Sequence, residues 1–338
     1  MSRALPTIHR EIHLAARPRG AMGPEHFRLV EAPVPEPGPG QLLVRNRTMS
    51  VSAVMRTLAQ GAEGLPMPSY AEGEVLWGPA LGEVVAGSGG RGPGVGSLVT
   101  HNSGWREYAV LGAEEVTRVE AGALPDPAAH LSQGFTAWLG VVRGAEVRPG
   151  DTVFVTGAAG GVGTLAGQFA RLHGAERVIG STGSRAKGRY LVEELGYDAV
   201  VIRGAEPIGR QLREAAPDGV DAVFDNVGGE QLAAALASAR HGARIALIGA
   251  LEGQMGTGFT SPVEIDSASL VMRGITLRGL RGADHLDGLG RFQEEFTRGM
   301  RAGTLTFPCT RLTGVEEAPR ALCELLEGRH TGAVLVDL

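Results

Sequence analysis

The run Ala158-Ala159-Gly160-Gly161-Val162-Gly163 has residue types and a spacing that could hold a phosphate. Small side chains let backbone N–H groups come close to an anion, and the N-terminus of a helix that follows adds a favourable dipole. Read as G-x-G-x-x-G, the run carries alanine at its first position, and in a chain with 52 glycines the pattern alone has little weight. Its setting gives it weight. Val153, Phe154 and Val155 precede it as a buried strand, and Leu165, Phe169 and Leu172 follow at helical spacing. Strand, glycine turn and helix in that order form the pyrophosphate corner of a dinucleotide fold.

The segment beyond the loop indicates which dinucleotide. NAD enzymes carry Asp or Glu about 20 residues on, at the end of the second strand, to bind the ribose 2′-hydroxyl. Here that place reads Gly180-Ser181-Thr182-Gly183-Ser184-Arg185-Ala186-Lys187, with no acid. A carboxylate would repel a 2′-phosphate, whereas the hydroxyl of Ser184 and the cations of Arg185 and Lys187 would bind one. NADP(H) is therefore the expected cofactor. Lys187 is also the only lysine in the chain. Two later turns, FDNVGGE (224–230) with Asn226 and Gly228, and ALIGAL (246–251), end strands at the carboxyl edge of the sheet, where the ribose and nicotinamide should lie.

The elements that must position these residues fall into two patterns. Residues 8 to 128 read as short strands with Gly/Pro punctuation, at 25–46, 80–100, 106–112 and 114–120, which predicts a small barrel or sandwich. Prolines 33, 35, 37 and 39 exclude helix and central sheet from the first turn. Residues 131–151 read as helical. Strands are then expected at 152–156, 177–182, 199–202, 221–226 and 243–249, with amphipathic helices at 162–173, 185–195, 207–216 and 230–240. This alternation is the signature of a parallel sheet covered on both faces. A further strand (275–280) and a helix (287–303) follow, and the stretch 255–275 reads as a long loop suited to substrate specificity. From about 304 short strands return around a helix at 315–327, and the closing strand GAVLVDL is expected to pair back into the β-rich part. The fold class is therefore α/β, with a β-rich domain over 1–128 with 304–338 and a doubly wound Rossmann domain over 129–303.

Bulk properties narrow the function. With 338 residues, 43% hydrophobic and 20% charged, the chain is an ordinary globular protein of about two domains. A formal charge of -5 argues against nucleic acid as a partner, and the absence of a long apolar run argues against a membrane. The N-terminus has no signal-peptide core, so a cytoplasmic location is expected. Cys309 and Cys323 lie in no metal-ligand pattern, so no metal is expected.

Taken together, ARPRGAMGPEHFRLVEAPVPEPGPGQLLVR (16–45), SGWREY (103–108), GFTAWLG (134–140), GAAGGVGTLAGQFARLHG (157–174), GSRAK (183–187), LGYDAV (195–200), PDGVDAVFDNVGGE (217–230) and ARIALIGAL (243–251) resemble the zinc-independent medium-chain dehydrogenase/reductases. Within them the likeness is to the prostaglandin reductase, plant double-bond reductase and curcumin reductase group, and it covers nearly the whole chain. The resemblance implies a GroES-like catalytic domain made from both chain ends, an inserted Rossmann domain, and NADPH-dependent reduction of the C=C bond of α,β-unsaturated ketones and aldehydes. It carries cofactor contacts onto Thr136, Gly160, Gly161, Val162, Gly163, Ser184, Lys187, Arg203, Asn226, Ile248, Gly249, Ala250, Leu280, Arg281, Gly282 and His330. It also implies a homodimer through the edge strand near 274–280.

The chain departs from that pattern at two places. The tyrosine of a Tyr-Asn pair expected after the fifth strand is replaced in Gln254-Met255, and Ser52-Ala53-Val54-Met55-Arg56 stands where Asp-Pro-Tyr-Met-Arg is usual. Gln254 is the candidate donor to an enolate oxygen, and Met55, Tyr70, Trp77 and Trp105 are expected to line a small-molecule substrate pocket between the domains. Two further readings stay open. One is a biosynthetic reductase that couples hydride addition to ring closure, and the other is a non-catalytic NADPH-binding sensor.

Overall fold

The computed structural model describes residues 5–62, 64, 67–87, 92–256 and 260–338. In chain order the strands of the first part are β1 (Ile8–Leu14), β2 (Phe27–Pro33), β3 (Gln41–Val51), β4 (Ala80–Gly87), β5 (Leu98–His101), β6 (Tyr108–Gly112) and β7 (Thr117–Val119), with helix α1 (Val54–Gln60) after β3. The middle carries α2 (Gly134–Leu139), β8 (Thr152–Val155), α3 (Gly163–Leu172), β9 (Arg177–Thr182), α4 (Arg185–Leu195), β10 (Ala199–Ile202), α5 (Ile208–Ala215), β11 (Val220–Asp225), α6 (Gly229–Ala237) and β12 (Ala239–Leu247). It continues with α7 (Leu251–Met255), α8 (Ser267–Arg273), β13 (Thr276–Gly279) and α9 (Leu289–Ala302), and the chain ends in β14 (Cys309–Thr313), α10 (Ala318–Leu326) and β15 (Ala333–Asp337). Contacts divide these elements into two units, one of residues 1–132, 309–330 and 334–338, the other of 133–308 and 331–333.

In the second unit the sheet order is β10-β9-β8-β11-β12-β13, all parallel. The chain winds outward from β8 in one direction, then crosses to the other side at β11. The carboxyl ends of β8 and β11 therefore flank the topological switch point, where ligands of such sheets bind. Strand residues here are apolar on both faces because helices cover both. Phe154, Ile179, Val201, Val223 and Ile245 are fully buried, each contributing about 1.5–3 kcal/mol of hydrophobic stabilisation. The expected α/β class holds, with strand boundaries within one residue except at β12, which starts four residues earlier and is bulged against β11 between Val220 and Ala222.

Two expectations need correction. The helix expected over 131–151 is only α2, continued by a π-helical turn at Gly140–Gly144. Glycines allow that turn to lie on the sheet, since a Cβ on Gly140 would meet the Phe224 ring at 2.2 Å and one on Gly144 would meet Ala246 Cβ at 2.5 Å. The stretch 255–275 is not one loop. Asp266 caps α8 by accepting from the Ala268 amide, and Gly274 ends it at φ 58°, so caps at both ends stabilise a short helix. Residues 257–259 of that stretch lie outside the described residues.

The first unit is mostly antiparallel. Its larger sheet runs β14-β15-β3-β4-β5-β7, with β6 also paired to β3, and β1 and β2 form a separate hairpin. The last strand returns to this unit, Val334 pairing with Val51 and Asp337 with Thr48. Long β3 is bulged twice, between Leu43 and Val44 and between Asn46 and Thr48, which lets one strand serve several neighbours. The core packs Met49, Val51, Met55, Trp105, Leu322, Val334 and Val336. Among the described residues no helix is long and apolar enough to cross a membrane.

His101 at the end of β5 is 6% exposed, and its Nδ1 accepts from the Ser103 amide at 3.0 Å. Burial, with a smaller effect from the Arg106 cation, lowers its pKa from 6.5 to about 4. The unfolded chain therefore binds this proton between pH 6.5 and 4 and the folded chain does not, so stability falls as the pH drops through that window. The full shift corresponds to about 3 kcal/mol. His101→Asn keeps an acceptor for Ser103. Urea unfolding from pH 7 to 4 should show a shallower acid loss for the variant than for the parent, and parallel curves would refute the assignment.

Candidate functional site

The glycine loop forms because β8 ends at the switch point and α3 starts within a few residues of it. Gly157 takes φ 62°, a left-handed conformation that a side chain disfavours, so the tight turn falls one residue before the alanine that occupies the first motif position. Gly163 begins α3 against the loop backbone. A Cβ there would lie 2.5 Å from Gly157 O and 2.6 Å from Ala158 Cα, closer than any real contact. The hydroxyl of buried Tyr197 donates to Gly163 O at 2.7 Å and fixes the helix start. Gly160 differs, since a Cβ there would meet nothing nearer than Gly157 O at 3.6 Å. Its missing side chain leaves open space, the cradle a pyrophosphate would fill.

Hydrogen bonds align the strand ends around the crevice. Ala158 N donates to Ser181 O at 2.8 Å and Gly157 N to Ser181 Oγ at 3.0 Å, tying the loop to β9. Ser181 Oγ in turn donates to Gln231 Oε1. Across the crevice, Thr156 Oγ1 donates to Asp225 Oδ1 at 2.8 Å and accepts from Asn226 N at 2.8 Å, while Gly228 N donates to Asp225 Oδ2 at 3.0 Å. Burial pushes the Asp225 carboxyl above its ordinary range, partly offset by these donors. Sequence reading missed this network. The signal was present in Thr156 and Asp225 at the ends of two apolar strands, where polar side chains interrupt the run.

The expected 2′-phosphate residues Ser184, Arg185 and Lys187 all stand at the start of α4, and Arg203 lies beside Gly183 just before it. Ser184 caps α4 with its Oγ 3.5 Å from Lys187 N, a long bond that leaves the hydroxyl available. Arg203 N donates to Thr182 O at 2.9 Å, and its Nη2 lies 3.2 Å from where a Cβ on Gly183 would be. The ends of β9 and β10 thus carry Ser184, Lys187 and Arg203 with no carboxylate among them. Lys187 is half-buried, and that burial lowers its pKa. An anion placed beside it would favour the charged form and oppose that shift.

Other expected cofactor residues lie at the carboxyl edge of the same unit. A Cβ on Gly249 would lie 2.6 Å from Asn226 Oδ1, so the turns after β11 and β12 touch. Ile248 N donates to Asp225 O at 2.8 Å, and Leu280 N to Leu247 O at 3.1 Å. Ala250 precedes α7, Thr136 sits half-buried on α2, Val162 adjoins the start of α3, and Gly282 follows β13. Arg281 is exposed and binds Asp284 through two nitrogens, at 3.1 and 2.6 Å. His330 belongs to the other unit, its Nε2 3.1 Å from Glu324 Oε2. Gln254 is half-buried on α7, its backbone N–H donating to Ala250 O at 2.9 Å.

Met55, Tyr70 and Trp105 are core side chains, 2%, 3% and 0% exposed. Tyr70 Oη donates to Trp77 O at 2.7 Å, and Trp105 stacks on Phe27 at 6.0 Å. Their role in this fold is packing, and no face of them is left open to a ligand. Among the described residues, no group of three or more His, Cys, Asp or Glu could hold a metal ion.

Known proteins share this architecture. Residues 10–119 match the family described as N-terminal domain of oxidoreductase, and residues 161–300 that described as zinc-binding dehydrogenase. The chain is 31% identical to the NADPH-dependent curcumin reductase of Escherichia coli, over 96% of this chain and 95% of that protein. It is 30% identical to the 2-alkenal reductase (NADP(+)-dependent) of Nicotiana tabacum, over 91% of this chain and 90% of that one. The crystal structure of CurA in complex with NADPH from Vibrio vulnificus superposes with a TM-score of 0.89 at 30% identity, covering 97% of this chain and 98% of that one.

The loop glycines should separate into structural and functional ones. Gly163→Ala forces backbone apart and should destabilise the protein by about 3 kcal/mol or more, at or above the usual range for overpacking. Gly160→Ala should melt like the parent yet bind a dinucleotide less well. Thermal unfolding of both variants is the check, and equal destabilisation would refute the division.

Proposed function

We propose that this chain, which belongs to the medium-chain dehydrogenase/reductase family together with the curcumin and prostaglandin reductases, uses NADPH to reduce the C=C bond of an α,β-unsaturated carbonyl compound. It is an NADP-dependent oxidoreductase. The observation that carries this reading lies at the ends of β9 and β10, where Ser184, Lys187 and Arg203 gather without an acid. The choice of acceptor is supported by full-length likeness to proteins named for reducing curcumin and 2-alkenals.

The residues present fit the cofactor. Backbone N–H groups of the 158–163 loop and the start of α3 would meet the pyrophosphate, Ser184, Lys187 and Arg203 the 2′-phosphate, and the turns at Asn226 and Ile248–Ala250 the ribose and nicotinamide. When bound, the cofactor supplies a hydride. The chain's own task is to hold the acceptor and to place a donor at the carbonyl oxygen, where negative charge develops. Gln254 is the residue we assign to that donor. Its side-chain N–H can stabilise the oxygen, but an amide does not release a proton, so the proton reaches carbon from water. We also assign a homodimer to the outer edge of β13, the last strand of its sheet.

Loss of NADPH absorbance with 2-alkenals, small enones or curcumin tests the reaction, and inactivity with all of them would sink it. Gln254→Leu should lower kcat by about a hundredfold, the usual cost of one oxyanion donor, without weakening NADPH binding. Lys187→Ala should raise the KM for NADPH by about tenfold or more and leave that for NADH unchanged, because a charge-assisted bond to the 2′-phosphate is what it removes. The replacement of tyrosine by Gln254 favours one second reading, hydride addition followed by ring closure. NMR analysis of the product decides between them, since ring closure yields an isomer of the simple reduction product with one double bond fewer and a new ring.

A further inference from the structure

Gln133 stands just before α2 and touches the glycine loop. A Cβ built on Gly161 would lie 2.5 Å from Gln133 Oε1 and 3.2 Å from Ala333 Cα. That carboxamide oxygen is buried and has no hydrogen-bond partner. Buried polar groups are rarely left unpaired, so this oxygen calls for a partner such as a ligand or a water. Elsewhere the loop is held by Gly332 N, which donates to Ala159 O at 2.9 Å, and by the Tyr197 hydroxyl on Gly163 O. Gln133 is thus a polar side chain packed on the loop with its carboxamide oxygen unpaired. Its oxygen and nitrogen have nearly the same shape, and a half-turn about the last torsion exchanges them.

We propose that Gln133 is a further cofactor-binding residue, its carboxamide donating a hydrogen bond to a pyrophosphate oxygen held by the 158–163 loop. The inference rests on the cofactor reading above. Pyrophosphate oxygens only accept, so the group that meets them must be an N–H. The two ends of the cofactor are then read by different chemistry. Cations at Lys187 and Arg203 serve the 2′-phosphate, and a neutral amide with backbone N–H groups serves the pyrophosphate.

Calorimetric binding of NADPH and of 2′-AMP, which lacks the pyrophosphate, tests this on the full chain. Gln133→Leu should weaken NADPH by about ten- to a hundredfold, the value of a hydrogen bond to a charged group, and leave 2′-AMP unchanged. Gln133→Glu has the same shape but no donor and a negative charge, so it should weaken NADPH further while sparing 2′-AMP. Lys187→Ala should weaken both ligands. Unchanged NADPH binding in Gln133→Leu, parental binding in Gln133→Glu, or equal loss of both ligands in Gln133→Leu would each overturn the role of Gln133. A parent protein that binds 2′-AMP and NADPH equally would overturn the pyrophosphate contact in the same way. A parent that binds neither would overturn the cofactor reading itself, and the inference with it.

Discussion

The second unit depends on how closely the start of α3 approaches the loop that feeds it. Gly163 lies against Gly157 and Ala158 at a distance no side chain allows, and Tyr197 fastens it by donating to its carbonyl. The same tyrosine ring fills the space left by Gly167 and Gly180, 2.2 and 2.8 Å from where their Cβ atoms would be. One aromatic side chain thus sets the spacing of α3 against β9. Because α3 is held there, its N-terminal N–H groups open onto the crevice between β8 and β11. Everything that distinguishes this crevice, from the basic residues beyond β9 to Asn226 beyond β11, is arranged around that fixed helix start.

The opposite wall is held by a buried charge in place of close packing. Asp225 is 1% exposed, an expensive place for a carboxylate, and it is tolerated because Thr156 and Gly228 donate to both oxygens. Removing one donor would leave the other partners holding an uncompensated charge. Both strand ends are therefore locked to each other through a single side chain, and Asn226 is held in line by the amide that binds Thr156. The loop side is ordered by glycines and the side at Asp225 by hydrogen bonds. These are two physical means of making one rigid crevice.

Much of this was legible in the sequence, for identifiable reasons. Strands buried on both faces read as unbroken apolar runs, so β8 to β11 were found nearly residue by residue. The cofactor preference was legible because it depends on a charge that is absent at a fixed distance from the loop. Helix α8 was not legible, because its seven residues carry no amphipathic repeat and depend on a capping aspartate and a terminal glycine. The π-turn after α2 was hidden because it arises from contacts of Gly140 and Gly144 with strands about a hundred residues away. Gln133 was hidden for a similar reason, since nothing in its neighbours along the chain says that it reaches Gly161.

The substrate side shows where residue type misleads. Large aromatics and methionine near matched motifs look like pocket walls, but in a β-rich unit with few aromatic residues they are the material of the core. Trp105 is fully enclosed with φ 64°, an unusual conformation for a bulky residue and one costing about 1–3 kcal/mol, held by stacking on Phe27. Tyr70 has its hydroxyl committed to a backbone carbonyl, and burial pushes its pKa up. Neither can hand a proton to a substrate. Of the five substrate candidates, Trp77 and Gln254 are half-buried, and the chemistry of Gln254 permits stabilising charge but not transferring a proton.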